Sequence, residues 1–254
     1  MVCAGCGVQA PGAEQDAYPF RCSRADQDDG VDHLMARVLD TASIVFPRGD
    51  EPNPFVQYRL LFHSYHVART HGMADDDYVA LVRSLDEEVA RVDGRGFRTT
   101  PFARSAALSE HLGFAAGGGV WVKDETGNVS GSHKARHLMG IMIYLQVLER
   151  IGLVRRPLPT LAIASCGNAA LAAAVVARAA GRALQVFIPP DAPPAVVDRL
   201  AQLGAHMTVC RRDPGVRGDP CYLQFREAVR NGALPFCCQG SANGLTIEGG
   251  ETLG

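Results

Sequence analysis

From Val120 onward the chain alternates short apolar runs with helical stretches, and that alternation most limits the folds open to it. Val120-Trp-Val-Lys123 predicts a strand, followed by a Gly127-Asn-Val-Ser-Gly131 loop and a helix from about Ser132 to Ile151. That helix is apolar on most faces, the pattern of a buried element. A strand is expected over residues 160–164, then a Ser165-Cys-Gly-Asn168 turn and an alanine-rich helix ending at Gly181, where glycine takes the left-handed cap. Further strands are expected at Leu184–Ile188, His206–Cys210 and Leu234–Cys238. Between them lie a helix opened by Pro193-Pro194 and closed by Gly204, and a helix over Tyr222–Arg230. Strands separated by helices at this spacing argue for a parallel sheet with right-handed crossovers and helices on both faces, hence an α/β fold. Open sheets of this kind bind ligands at the carboxyl ends of their strands. Two segments lie there: the loop from Gly127 to Lys134, and the turn from Ser165 to Asn168.

The first hundred residues have a different texture. They start acidic and turn-rich, then carry helical patterns over Pro54–His71 and Asp75–Val92, the second behind an acidic first turn. These read as packing helices. At 254 residues the length suits one large or two modest domains. The division expected is a helical region with a possible Cys-rich knuckle over 1–100 and a cofactor-binding region over 101–254, with 160–240 as its smaller substrate-binding part.

The chain has two lysines, Lys123 and Lys134, against 23 arginines. Guanidinium does not release its proton near neutral pH, whereas an amine that does can add to an aldehyde as a Schiff base. Both lysines fall within one short segment, and Lys134 stands where a helix begins, a place that favours negative charge over ammonium. The plain alternative is a pair of leftover surface lysines. Gly127, Gly131, Ser130 and Ser132 give a loop whose backbone can approach a ligand closely and whose hydroxyls can meet a phosphate. Ser132 also suits a helix cap, and the two roles do not exclude each other. The amides of the Ser165–Asn168 turn suit a carboxylate, although Asn168 alone reads equally as a cap.

Read together, these segments resemble the pyridoxal-phosphate enzymes of the tryptophan-synthase-β fold, fold type II, from about Thr100 to Gly254. The resemblance rests on Thr100-Pro-Phe, Lys123-Asp-Glu-Thr-Gly-Asn-Val-Ser-Gly-Ser-His-Lys134, Ser165-Cys-Gly-Asn-Ala-Ala170 and Thr246-Ile-Glu-Gly-Gly-Glu-Thr252. It implies pyridoxal 5'-phosphate held on Lys134, which would also move the α-proton. It implies a cofactor contact at Asn168, and Ser132 and His133 as further cofactor-side residues. Ser165, Gly167 and Ala169 would bind the carboxylate of an amino-acid substrate. The activity implied is β- or γ-elimination or replacement on a hydroxy or activated amino acid, as in threonine synthases and serine or threonine dehydratases. The protein would supply orientation and acid–base groups while the cofactor serves as electron sink. Chains of this family normally continue into a Gly-rich phosphate loop, and Gly117-Gly-Gly119 precedes a strand and does not replace it. The expectation is therefore an N-terminal fragment that is inactive by itself, with a homo-oligomer possible for the longer form.

Another reading, from the binding class, is a noncatalytic amino-acid-binding or zinc-binding module on the same sheet. Cys3-x2-Cys6 with Cys22 and His33 would complete a tetrahedral zinc site. The remaining thiols Cys210, Cys221, Cys237 and Cys238 read as small apolar residues. A net charge of -2 argues against a nucleic-acid or acidic-membrane partner. With no secretion signal or membrane-length apolar run, the expected location is cytoplasmic.

Overall fold

The chain begins with β1 (Val2–Cys3) running antiparallel to β2 (Met35–Ala36), so that Cys3 faces Met35 across a two-residue ladder. The computed structural model describes every residue except Asp28, Ala116 and Gly254. The single helix expected over Pro54–His71 is broken into α1 (Pro54–Gln57), a 3-10 turn at Arg59–Leu61 and α2 (His63–Thr70). Phe62 is extended between them, and the Glu248 carboxylate accepts the amide of His63 at 2.8 Å. A helix restarting on a carboxylate satisfies an amide left open at its first turn. α3 (Asp75–Asp93) follows the sequence reading. Its first turn holds Asp75, Asp76 and Asp77, its buried stripe is Tyr78, Val82, Leu85 and Val89, and Gly94 ends it at φ 81°.

β3 (Phe102–Ser105), α4 (Ala106–His111) and β4 (Val120–Lys123) form a separate unit in which β3 and β4 pair antiparallel. The alternation read from sequence counts β4 as the first strand of the parallel sheet, and it does not enter that sheet. The connection, residues 106–119, has the dozen residues that a parallel crossover needs, but the helix it carries, α4, is only six residues long. Instead the chain folds straight back. Arg104 donates to the Gly118 carbonyl at 2.8 Å, and Ser109 Oγ accepts from the Val120 amide at 3.0 Å.

The rest runs α5 (Lys134–Arg150), β5 (Leu161–Ala164), α6 (Asn168–Ala179), β6 (Leu184–Ile188), α7 (Pro194–Gln202), β7 (His206–Val209), α8 (Pro220–Arg230), β8 (Leu234–Pro235) and α9 (Thr246–Gly250). The four strands form one parallel sheet in the order β7-β6-β5-β8, and α6 and α8 both pack on β5 and β6. This is the expected α/β architecture. β8 is shorter than the sequence suggests, because Asn243 reaches back to the Pro235 carbonyl at 2.8 Å and draws the chain off the ladder.

α5 is the centre of the core. It touches α2, α3, α6 and α9, and its side chains from Leu138 to Tyr144 are fully buried. The helices before residue 100 share this one hydrophobic cluster with the sheet. Cys3, Cys22 and Met35 form a second, far smaller cluster.

Candidate functional site

Lys134 is the first residue of α5, and Ser132 Oγ accepts from its backbone amide at 3.4 Å. The loop before it is held in shape by its own polar groups. Asn128, almost fully buried, donates from Nδ2 to the Ser132 carbonyl at 2.8 Å, and Ser130 takes a left-handed φ of 55° while its amide reaches Asp93 at 2.8 Å. A left-handed serine outside a glycine position stores strain, and such strain persists only where the surroundings enforce it. Asn128 Oδ1 and Ser130 Oγ are buried without a partner among the described residues. This loop packs against α6, and α5 lies alongside α6 as well, so the two segments singled out in the sequence are neighbours in the fold.

Asn168 opens α6 with an exposed side chain that makes no hydrogen bond among the described residues. Gly167, not Asn168, is the cap residue, and Ser165 Oγ accepts the Gly167 amide at 3.4 Å. A Cβ added at Gly167 would meet nothing within 4 Å, so open space lies before this turn. Ser165, Gly167 and Ala169 are all half-buried around it.

His133 and His137 meet edge to face at 5.7 Å, one helical turn apart. Burial depresses both imidazoles below their ordinary range, and the nearby Lys134 charge lowers them further. The Thr246 carbonyl opposes the shift at His137, whose Nδ1 it meets at 2.8 Å. Both rings are therefore neutral near pH 7. Lys123 takes no part in this group. Its Nζ donates to the Thr100 carbonyl at 3.0 Å.

Sequence reasoning missed three residues here. Cys238, read as an apolar filler, is half-buried and points its Sγ at the Lys134 carbonyl, 3.8 Å away. Burial pushes its thiol up to about 11 against the pull of the Lys134 charge, so it is no thiolate nucleophile at neutral pH. Its place just past the carboxyl end of β8, beside β5, was a usable signal, since ligands collect there. Arg136 is fully buried and grips Glu125 with two nitrogens at 2.7 and 3.1 Å, while also reaching the Arg98 carbonyl at 2.9 Å. Glu248 was the third, a buried carboxylate under the start of α2. No local pattern marks either of these two.

Residues 95–254 match the family described as pyridoxal-phosphate dependent enzyme. The chain belongs to this family. Among solved structures, diaminopropionate ammonia lyase from Escherichia coli is similar at 21% identity and a TM-score of 0.50, covering 69% of this chain and 46% of that one. An aspartate racemase is similar at 23% identity and a TM-score of 0.49, covering 69% and 49%. Maize serine racemase is similar at 20% identity and a TM-score of 0.47, covering 68% and 47%. At these identities the likeness is one of fold. The chain spans about half the length of these structures. No curated protein matches it.

The family implies pyridoxal 5'-phosphate, and the residues present fit it. An amine at a helix start, the unpartnered Ser130 hydroxyl on the loop leading to it, and open space before the neighbouring Gly167 turn suit an aldehyde with a phosphate arm. No helix among the described residues is long and apolar enough to cross a membrane.

Proposed function

We propose that this chain carries the cofactor-binding site of an amino-acid enzyme that eliminates or replaces a β- or γ-substituent on a hydroxy or activated amino acid. The observation that carries the reading is the placement of Lys134 at the start of the central helix, behind a polar loop packed against α6. When bound, pyridoxal phosphate supplies an electron sink for the carbanion that forms at the substrate's α-carbon. The rest falls to the chain's own residues. Lys134 Nζ would hold the cofactor's aldehyde carbon and, once released, would move the α-proton. Ser132 and the amides at the start of α5 would meet the phosphate. Asn168 would face the ring, and the neutral His133 would pack beside the amine. Ser165, Gly167 and Ala169 would orient the substrate carboxylate at the start of α6, where open amides favour an anion. In this reading residues 101–254 form the cofactor-binding region, 160–240 its substrate-binding part, and residues 1–100 its helical buttress.

Titration with pyridoxal phosphate of a longer form that also carries the family's Gly-rich phosphate loop tests the reading. Wild type and Lys123→Ala should take up cofactor into a saturable visible band that shifts with serine or threonine, and Lys134→Ala should not. Asn168→Ala should weaken cofactor binding while its unfolding midpoint stays put, since this side chain makes no cap bond. Equal uptake by Lys134→Ala would overturn the assignment. A cost of about 1 kcal/mol in stability with normal uptake would make Asn168 a cap after all.

A further inference from the structure

Cys3, Cys6, Cys22 and His33 converge from three separate stretches of the first 36 residues. Their ligand atoms all lie within 4.8 Å of one another. Cys3 Sγ is 3.6 Å from His33 Nδ1, and Cys6 Sγ is 3.6 Å from Cys22 Sγ. With zinc–sulfur bonds near 2.3 Å and zinc–nitrogen bonds near 2.05 Å, a tetrahedron has S···N edges of about 3.6 Å and S···S edges of about 3.8 Å. A disulfide would need its sulfurs roughly 2.05 Å apart. All the cysteines are free, so the spacing is that of ligands around a common centre.

The surroundings are built for the same purpose. His33 Nε2 lies 3.2 Å from both oxygens of Asp29, which fixes the proton on that nitrogen and leaves the Nδ1 lone pair turned toward the sulfurs. The Arg24 amide donates to Cys22 Sγ at 3.4 Å. Cys3-x2-Cys6 closes as a tight turn, with the Gly7 amide on the Cys3 carbonyl at 2.9 Å and Gly7 at φ 73°. At Gly5 a Cβ would collide with the Asp32 carbonyl, so the turn presses against the segment before β2 that presents His33. The local buried apolar core is Cys3, Cys22 and Met35, with Met1, Val8, Ala10 and Ala25 half-buried against it, a small core for such a segment.

We propose that this cluster is a structural zinc site of three thiolates and one imidazole. Thiolate and imidazole donors in a closed tetrahedral set favour zinc, and the three thiol protons leave to solvent as the metal binds. The site has no open position for chemistry. Its task is to pin the N-terminal segment onto the lysine helix. β2 lies so close to the 243–247 loop that a Cβ at Gly244 would strike Met35, Gly244 donates to the Phe20 carbonyl at 2.9 Å, and Tyr144 of α5 reaches the Ala17 carbonyl at 3.0 Å. The inference does not depend on the cofactor reading, because neither metal content nor metal spectrum requires pyridoxal phosphate.

Metal analysis and cobalt substitution of the reduced full chain test it. One zinc per chain is expected, and Co(II) in its place should show the intense bands of a tetrahedral thiolate site. Cys22→Ser should lose the metal and Cys238→Ser should keep it. His33→Cys should keep one metal with the spectrum of four thiolates, a gain that a misfolded variant would not give. Asp29→Asn should weaken binding roughly 10–100-fold. Wild type that stays metal-free in excess zinc, an octahedral cobalt spectrum, or metal loss in Cys238→Ser matching that in Cys22→Ser would each overturn the proposal.

Discussion

Glu248 and His63 are neighbours whose titrations pull stability in opposite directions. Burial raises the Glu248 carboxyl from 4.5 to about 7, and burial lowers the His63 imidazole from 6.5 to about 4. Between pH 4.5 and 7 the folded state holds a proton on Glu248 that the unfolded chain has released, so stability falls as pH rises through that window. Between pH 4 and 6.5 the unfolded chain holds a proton on His63 that the folded state lacks, so that contribution rises with pH. The two nearly cancel in the wild type. Glu248→Gln keeps an acceptor for the His63 amide but removes the falling component. Urea unfolding should show this variant gaining on wild type from pH 4.5 to 7, by up to about 3 kcal/mol. A pH-independent difference would mean that Glu248 is ionised throughout. Nothing local in Thr246-Ile-Glu-Gly announces such a residue, because its burial is created by α2 and the N-terminal segment. Lys134 was legible for the opposite reason, since amine chemistry and rarity are both properties of the sequence.

At the scale of elements, the position of α5 rests on Arg136 and on small residues. The Arg136–Glu125 pair is desolvated, and the guanidinium ties α5 to the end of β4, to Arg98 and, at 3.4 Å, to the Thr252 carbonyl. Removing one member of a buried pair strands the other charge, a loss of about 3–5 kcal/mol. Arg136→Met should therefore shift the denaturant midpoint strongly, and adding Glu125→Gln should recover part of the loss. A double variant no more stable than Arg136→Met would show that the pair is not coupled. One turn further along the same face of α5, Gly140 and Gly249 cross so closely that a Cβ on Gly140 would lie 2.9 Å from the Gly249 Cα. Gly250 leaves the His137 ring room in the same way. The parallel alternation after residue 160 was legible because each helix is bracketed by proline, glycine or a capping residue at the right spacing. The split at Phe62 and the β3–β4 hairpin were not: Glu248, 185 residues away, decides the first, and the second turns on the return of Gly117–Gly119 onto Ser109 and Arg104, side-chain contacts that no local propensity marks.

At the scale of the molecule, exposed apolar side chains gather on the β3–α4–β4 unit, where Phe102 is 62% and Trp121 58% accessible. The two rings lie 5.4 Å apart. Trp121 is the single tryptophan, so its fluorescence reports on this face alone. An isolated chain should emit at the long wavelengths of a hydrated indole and be quenched by iodide, and blue-shifted, unquenched emission would mean that another surface covers the hairpin. Lys134, at the other end of the same segment, is the proposed cofactor anchor. The most direct test is borohydride reduction, with pyridoxal phosphate, of the longer form that carries the phosphate loop, followed by peptide mapping. Because residues 1–254 hold only two lysines and Lys123 Nζ is engaged by the Thr100 carbonyl, the map over this segment has few possible answers. The account predicts a single pyridoxyl adduct on the peptide containing Lys134, and an adduct on Lys123, or on neither lysine, would contradict it.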